Sequence, residues 1–363
     1  MLRLLIHLTC PGLLLLLGVV SCMAQEVVPR CEPARPLPQN PRHGIVGLSF
    51  SRDGKTLVSA GGDGNIKFWD VATGQVKRTL SGHTNAVYKA IFSPDEKLLA
   101  SSSRDATARI WDVATGKELH TLTGYRCAVK FVAFSPDGKT LAATGNDGVL
   151  KLWDVKTGRE KKSLVHTDST NVDVGTYSAI FSRDGKKLYA SNGDGTISQW
   201  DVATGTEAKA WKAHRLGVFS LAFSPDYRVL ASNGYFDYTV KLWDVATRRE
   251  IRALANKKTE GLQEKVQAIA FSPNGKSLAV SEVGFDPKLK QYAYNRTNVW
   301  DVETGEKRFT VNGHKFDIDA VLFTPDSRYV VSGSADGTIK FWDADTGRES
   351  RTLTTPPSGR TNN

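Results

Sequence analysis

Along most of the chain, apolar residues come in short bursts and never in a helical rhythm. Residues 134–160, FSPDGKTLAATGNDGVLKLWDVKTGRE, show the pattern: an aromatic, a polar turn, an apolar run, a second turn, a second apolar run ending in Trp-Asp, and a third turn. Runs rich in Val, Ile, Leu, Phe and Thr, bounded by Gly, Pro, Asn, Asp and Ser, predict short β-strands. Ser-Pro-Asp-Gly (135–138) puts Pro early and Gly late, as a tight β-turn prefers. No part of the array sustains a 3.6-residue period, so the pattern predicts an all-β fold.

The phrase returns. Trp-Asp pairs begin at Trp69, Trp111, Trp153, Trp200, Trp243, Trp300 and Trp342, at spacings of 42, 42, 47, 43, 57 and 42 residues. Upstream of each stands an aromatic before a turn: Phe50, Phe92, Phe134, Phe181, Phe223, Phe271 and Phe323. Each unit holds four short strands, too few to bury both faces of a sheet alone. Stacking such sheets radially buries the faces and protects most edges. On these residues the chain resembles the WD40-repeat family, and its regular FSPDGKTLA…DGTIKFWDVATG units are similar to the exported bacterial type. The resemblance implies a seven-bladed propeller over 44–355, with four antiparallel strands per blade. Arg348 to Thr354 supplies a last outer strand and the array opens with an inner strand near Ile45, so every blade is expected to be contiguous.

In that family a His, a Ser or Thr, an Asp and the Trp form a buried network within a blade. Three units match fully: His83, Ser101, Asp105 and Trp111; His214, Ser232, Asp237 and Trp243; His314, Ser332, Asp336 and Trp342. A Ser–His–Asp set invites a nucleophilic reading. Its recurrence in several units favours structure instead, because buried polar groups need partners and a closed network supplies them. No catalytic residue is expected. Nor is a metal or cofactor: the sequence has no Gly-rich phosphate loop, zinc-spaced Cys or His pair, HExxH, G-x-S-x-G or calcium loop.

Departures from the repeat point to binding. From Trp to the last apolar residue of the outer strand is always 11 residues. From aromatic to Trp is 19 in five units, 20 in the fifth and 29 in the sixth; from outer strand to next aromatic is 12, except 17 entering units four and six. By the resemblance, both variable loops lie on one face, the top, where a rigid scaffold carries its binding loops. The sixth unit's hairpin, 282–298, offers Phe285, Lys288, Lys290, Tyr292, Tyr294 and Arg296, either an anchor patch or a tolerated surface extension. Four residues before each aromatic, at the channel mouth, stand Val46, Tyr88, Lys130, Tyr177, Phe219, Gln267 and Asp319. With the rim residues Arg104 and Phe236, the aromatic and basic members of that set suit an acidic or extended protein segment.

The net charge of +10 is spread over the units without a basic stripe, which speaks against nucleic acid. Residues 1–24 have the layout of a secretory signal, with Arg3 ahead of an apolar run too short to span a bilayer. Its end fits either a lipobox with lipidation at Cys22 or a small-x-small cleavage before Gln25, an uncleaved anchor being the third option. An exported or envelope location follows. Residues 25–43 read as a proline-rich linker and 356–363 as a tail. Cys31 and Cys127 either pair or stay as thiols. The reading at this stage is a monomeric, non-catalytic scaffold for a protein or peptide, with a propeller hydrolase or lactonase, or a structural envelope protein, as the alternatives.

Overall fold

The computed structural model describes residues 44–166, 175–234, 237–255, 261, 263–289 and 291–355. The expected signal with Cys22, the linker with Cys31, the tail, Phe236 and Lys290 lie outside these residues, as does the side chain of Tyr292.

Four consecutive antiparallel strands form each of seven sheets, here called blades 1 to 7. The inner strands are Ile45–Phe50, Val87–Phe92, Val129–Phe134, Thr176–Phe181, Val218–Phe223, Gln263–Phe271 and Ile318–Phe323. Each packs against the next, and the first packs against the last, so the circle closes. We call top the face where inner strands begin.

Local chemistry fixes the strand ends. At the bottom turn of blade 3, Ser135 Oγ donates to Asp137 Oδ1 at 2.6 Å and accepts the Thr140 amide at 2.9 Å. After Trp153, Asp154 Oδ1 accepts the Thr157 amide at 2.9 Å, and Gly158 adopts a φ of +67°. That conformation costs a glycine little. The Asp of each Trp-Asp pair is thus a turn cap.

Between blades the contacts are apolar. Leu48, Leu57 and Trp69 of blade 1 pack with Ile339, Phe341 and Leu353 of blade 7. Among the described residues no strand is exchanged across this seam: outer strand Glu349–Thr354 pairs with its own neighbour, Thr338–Asp343. The two backbones approach closely there, since a Cβ on Gly333 would lie 2.5 Å from Ile45 Cγ2.

Within blades, polar networks tie the strands. His83 Nε2 is 2.8 Å from Ser101 Oγ, which accepts Trp111 Nε1–H at 2.8 Å, and His83 Nδ1 is 2.8 Å from Asp105 Oδ2. His214, Ser232, Asp237 and Trp243 repeat the arrangement in blade 5, as do His314, Ser332, Asp336 and Trp342 in blade 7. Burial opposes ionisation of Asp237, but the hydrogen bond and charge of His214 outweigh it and hold the carboxyl at about 2. Every polar end in these sets faces another member, and all the histidines and serines are buried. Blade 3 solves the problem differently. Tyr125 stands for His and Ala143 for Ser, and Tyr125 Oη accepts Trp153 Nε1–H at 2.9 Å while donating to Ala143 O at 3.3 Å. In blade 4, His166 lies between Glu207 Oε1 at 2.7 Å and Asp194 Oδ2 at 3.3 Å.

Two outcomes follow. Phe341→Ala removes a ring that is 1% exposed from the closing seam and is expected to cost about 3–5 kcal/mol, read as a lower midpoint in urea unfolding. Burial disfavours the charged form of His166, but Asp194 and Glu207 outweigh it and raise its pKa to about 9. A pKa raised on folding stabilises below the unfolded value, and the gain is lost as pH rises through the folded one. Wild type should therefore lose on the order of 1–3 kcal/mol between about pH 6.5 and 9 relative to His166→Gln, in unfolding curves across that range.

Candidate functional site

Inner strands alternate, so every second side chain near their top ends points into the central channel. The structure brings Val46, Tyr88, Lys130, Tyr177, Phe219, Gln267 and Asp319, one from each blade, onto a single cavity of about 330 Å³. Lys89, Phe131, Ile269 and Ser220 are among the residues that line its wall deeper in. Two cation–π contacts join blades 2 and 3: Lys130 Nζ lies 4.1 Å from the Tyr88 ring centre, and Lys89 Nζ lies 5.3 Å from that of Phe131. Tyr177 and Phe219 pack with ring centres 5.8 Å apart across blades 4 and 5.

Charge in this mouth is mixed. Burial, reinforced by the carboxylate of Asp317, pushes Asp319 up to about 7, against the pull of Lys130 and Lys265. Burial also pushes the Lys89 ammonium below its ordinary value. Asp317 Oδ1 is buried and has no hydrogen-bond partner among the described residues. Arg104 sits farther out, exposed on the rim, its amide donating to Ala86 O at 2.9 Å. Lys89 and Phe131 escaped the sequence reading because they follow the selected positions by one residue. A perfect alternation would have turned them away from the channel. The entry of the inner strands breaks it, with a register shift between Val87 and Lys89 and another between Thr144 and Gly145 opposite Phe131 and Val129.

The extra residues of blade 6 fold on one another. Its inner strand begins three residues early at Gln263, and its second and third strands run on as Ser277–Asp286 and Gln291–Asp301. Residues 263–266 pair with 282–285, and 282–286 pair with 291–296, so both insertions form one three-stranded extension. Tyr294 lies on Gly284, and its hydroxyl donates to Glu264 Oε1 at 2.6 Å. Arg296 covers the Tyr294 ring at 4.0 Å and donates from Nε to Glu282 Oε2 at 3.0 Å. Burial raises the pKa of Glu282, with Arg296 opposing. Tyr294 and Arg296 therefore spend their chemistry inside the extension. Of the expected anchors, Lys288 is exposed beside Leu289, which is 65% exposed at the tip, and Phe285 is half-buried.

Among the described residues, no group of three or more His, Cys, Asp or Glu side chains is placed to hold a metal ion. None of their helices is long and apolar enough to cross a membrane.

The model of the WD domain, G-beta repeat, matches residues 35–70, 74–112, 116–154, 159–201, 205–244 and 305–343. Residues 245–304, where the insertions lie, fall between the fifth and sixth matched segments, yet they complete a sixth regular blade with its neighbours. Part of the chain is similar to protein tipD of Dictyostelium discoideum, 31% identical over 145 residues, or 40% of this chain and 21% of that protein. Another similarity is to guanine nucleotide-binding protein subunit beta of Zea mays, 28% identical over 152 residues, 41% of this chain and 37% of that one. A third is to Target of rapamycin complex subunit wat1 of Schizosaccharomyces pombe, 24% identical over 124 residues, 34% and 35% of the two chains. The similarity thus spans between 21% and 37% of these relatives' length, and all three are eukaryotic, giving no support to the bacterial exported type expected from the repeats. With six matched segments over more than half of its length, the chain belongs to the WD40, or G-beta repeat, family.

Proposed function

We propose that this protein is a non-catalytic interaction scaffold of an exported or envelope compartment that holds an extended protein segment at the channel mouth. One observation carries the reading: seven blades each place one residue on one cavity, and these include Tyr88, Tyr177 and Phe219 with Lys130 among them. Rigid aromatics beside a cation give large contact area at small entropic cost. Relatives named as subunits of assemblies, the G-protein beta subunit and wat1, support the same role. The location rests on the layout of residues 1–24 alone. The partner's acidic groups would lie against Lys130 and Lys265, and the exposed tip of the blade 6 extension offers a second, smaller contact.

Capture of partners from the native envelope, analysed by mass spectrometry, tests the site. A Tyr88→Ala, Lys130→Glu double variant is expected to lose a partner by about tenfold or more, while a variant with 286–290 cut to a two-residue turn keeps it. The opposite result would move docking to blade 6. Equal capture by both variants and wild type would remove the top face from consideration.

Asp319 gives the docking a pH dependence. Its pKa of about 7 makes it neutral below that pH and anionic above it. Binding of an acidic peptide should therefore weaken between pH 6 and 8, and Asp319→Asn should flatten the curve, as titration calorimetry would read. The same raised carboxyl in a cleft is the one observation that favours a hydrolase. Turnover of ester or lactone substrates that disappears in Asp319→Asn would establish that second reading.

A further inference from the structure

Near the bottom of the ring, neighbouring blades touch through one repeated side chain of the outer strand. It stands nine residues after the Trp of each Trp-Asp pair, and in blades 1, 2, 3, 5, 6 and 7 it is Arg78, His120, Lys162, Arg252, Phe309 and Arg351. The first five lie against the turn glycine of the next blade. A Cβ added to that glycine would meet Arg78 Cδ at 3.3 Å from Gly116, His120 Cγ at 2.7 Å from Gly158, Lys162 Cδ at 3.1 Å from Gly205 and Phe309 Cδ2 at 2.8 Å from Gly347, and Arg252 lies likewise against Gly305. The arginines also bond to the turn. Arg78 donates to Val113 O at 2.7 Å and to Ala114 O at 3.0 Å, and Arg252 donates to Thr304 O and, at 3.0 Å, to Glu303 O.

The closing seam breaks this series. Arg351 holds the repeat position on blade 7, yet a Cβ on Gly74, the turn glycine of blade 1, would find only Leu353 within 4 Å. Arg351 lies instead over the Phe341 ring of its own blade, its guanidinium carbon 4.2 Å from the ring centre, and it has no hydrogen-bond or ion-pair partner among the described residues. A cavity of about 780 Å³ opens at this place, lined by Arg351, Tyr329 and Pro325 of blade 7 and by Lys55, Val71 and Ala72 of blade 1. Val71 and Ala72 are the counterparts of Val113 and Ala114, whose carbonyls accept Arg78 one seam further on. The cavity thus lies between the guanidinium and the turn that it would otherwise bind.

We propose that this seam cavity binds a small ligand bearing an oxyanion, phosphate or carboxylate, on an apolar ring, with Arg351 as its anchor. The site lies on the bottom side, away from the channel mouth, and does not rest on the docking reading. Charge supports it. The wall carries the cations Arg52, Lys55, Lys77 and Arg351 and the acids Asp53, Asp70 and Asp326. Each acid is engaged: Asp70 with Lys77 at 2.6 Å, Asp53 with the Ser51 hydroxyl and the Lys55 amide, and Asp326 with the Thr324 hydroxyl and the Arg328 amide. Arg52 donates to Pro94 O at 2.9 Å. Among the described residues this leaves the side chains of Arg351 and Lys55, one on each blade, without a hydrogen-bonded or ion-paired partner. Shape supports it too. A guanidinium set over a ring keeps its N–H edges free, and its planar fork matches two oxygens of one phosphate or carboxylate. Val71, Ala72, Pro325 and Tyr329 offer an apolar body its contacts, and the volume falls in the roughly 300–1,000 Å³ range of small-molecule sites. A ligand held by Arg351 and Lys55 would join blade 7 to blade 1, the link that Arg78 and Arg252 make directly at their own seams, so binding should stabilise the closed ring.

The test titrates the full-length protein with phenyl phosphate and with benzoate by calorimetry, and follows the urea unfolding midpoint with each, sodium chloride matching the ionic strength. Wild type should bind one or both compounds and unfold at higher urea in the presence of the one it binds. Arg351→Gln should weaken that binding about tenfold or more, as loss of a charge-assisted bond predicts, and should lose the midpoint shift. Arg78→Gln, at the next seam, and Lys130→Glu, at the channel mouth, should keep both. Phosphate-like anions can raise midpoints simply by exclusion from protein surfaces, so a shift that persists in Arg351→Gln would overturn the proposal. Failure of wild type to bind either compound would overturn it, and so would binding that is lost in Lys130→Glu and kept in Arg351→Gln. Lys55 is exposed, so Lys55→Gln carries the test where Arg351→Gln fails to fold: binding weakened several-fold upholds the site, and unchanged binding rejects it. None of these readouts involves a protein partner, so they stand or fall apart from capture at the mouth.

Discussion

The constraint behind the whole molecule is that a four-stranded sheet has two faces and no layer of its own to cover them. Here each face is covered by the next blade, and the last debt falls on the seam between blades 1 and 7. Many rings of this kind could be latched by exchanging a strand. Among the described residues this one closes on side chains, with Trp69, Leu57 and Phe341 at its centre and Gly333 making room for Ile45. Seven nearly equal units are needed because each contributes the same wedge. The repetition that a reader might take for a multiplied active site is the condition for the ring to close.

The polar networks obey the same economy of closure. An indole N–H buried between sheets needs an acceptor. In blades 2, 5 and 7 it is a serine hydroxyl held by a histidine, which is held in turn by an aspartate. In blade 3 one tyrosine does the work of two residues, and the serine position shrinks to Ala143. That exchange preserves the function of the network, a partner for Trp153, while erasing its motif. It explains why these sets are structural: what blades 2, 3, 5 and 7 share is the satisfied indole, and the nucleophile-like serine is expendable.

What the sequence made legible was whatever repeats. Strand number, blade number, contiguous blades and the seven channel positions all followed from spacing, because the ring places equal sequence positions at equal places in space. What spacing could not show was contact between units. Lys89 and Phe131 reach the channel because the strand entries shift register, and their pairing crosses from one blade to the next. The two insertions of blade 6 look separate along the chain, yet they pair into one extension. Tyr294 and Arg296, which read as free anchors, are occupied by Glu264 and Glu282 from the neighbouring strands. His166 was invisible because it stands 34 residues before Trp200, where His83, His214 and His314 stand 28 or 29 before theirs, although Asp194 keeps the repeat position of Asp105.

Top and bottom of the ring thus carry different kinds of information. Bottom turns are short, capped by Ser–Asp pairs and nearly identical from blade to blade, so that end of the scaffold is spent on geometry. The described added length lies at the other end, in the early start of the blade 6 inner strand and the long hairpin between its second and third strands. A rigid ring lets these features vary without cost to the fold, because a longer top loop asks only a small closure entropy and disturbs no sheet. The channel mouth is then a place where one residue from every blade meets. Its mixed charges, two carboxylates on blade 7 facing lysines on blades 2, 3 and 6, would repel a ligand of uniform sign. A segment whose own charges change sign along its length would satisfy both sides.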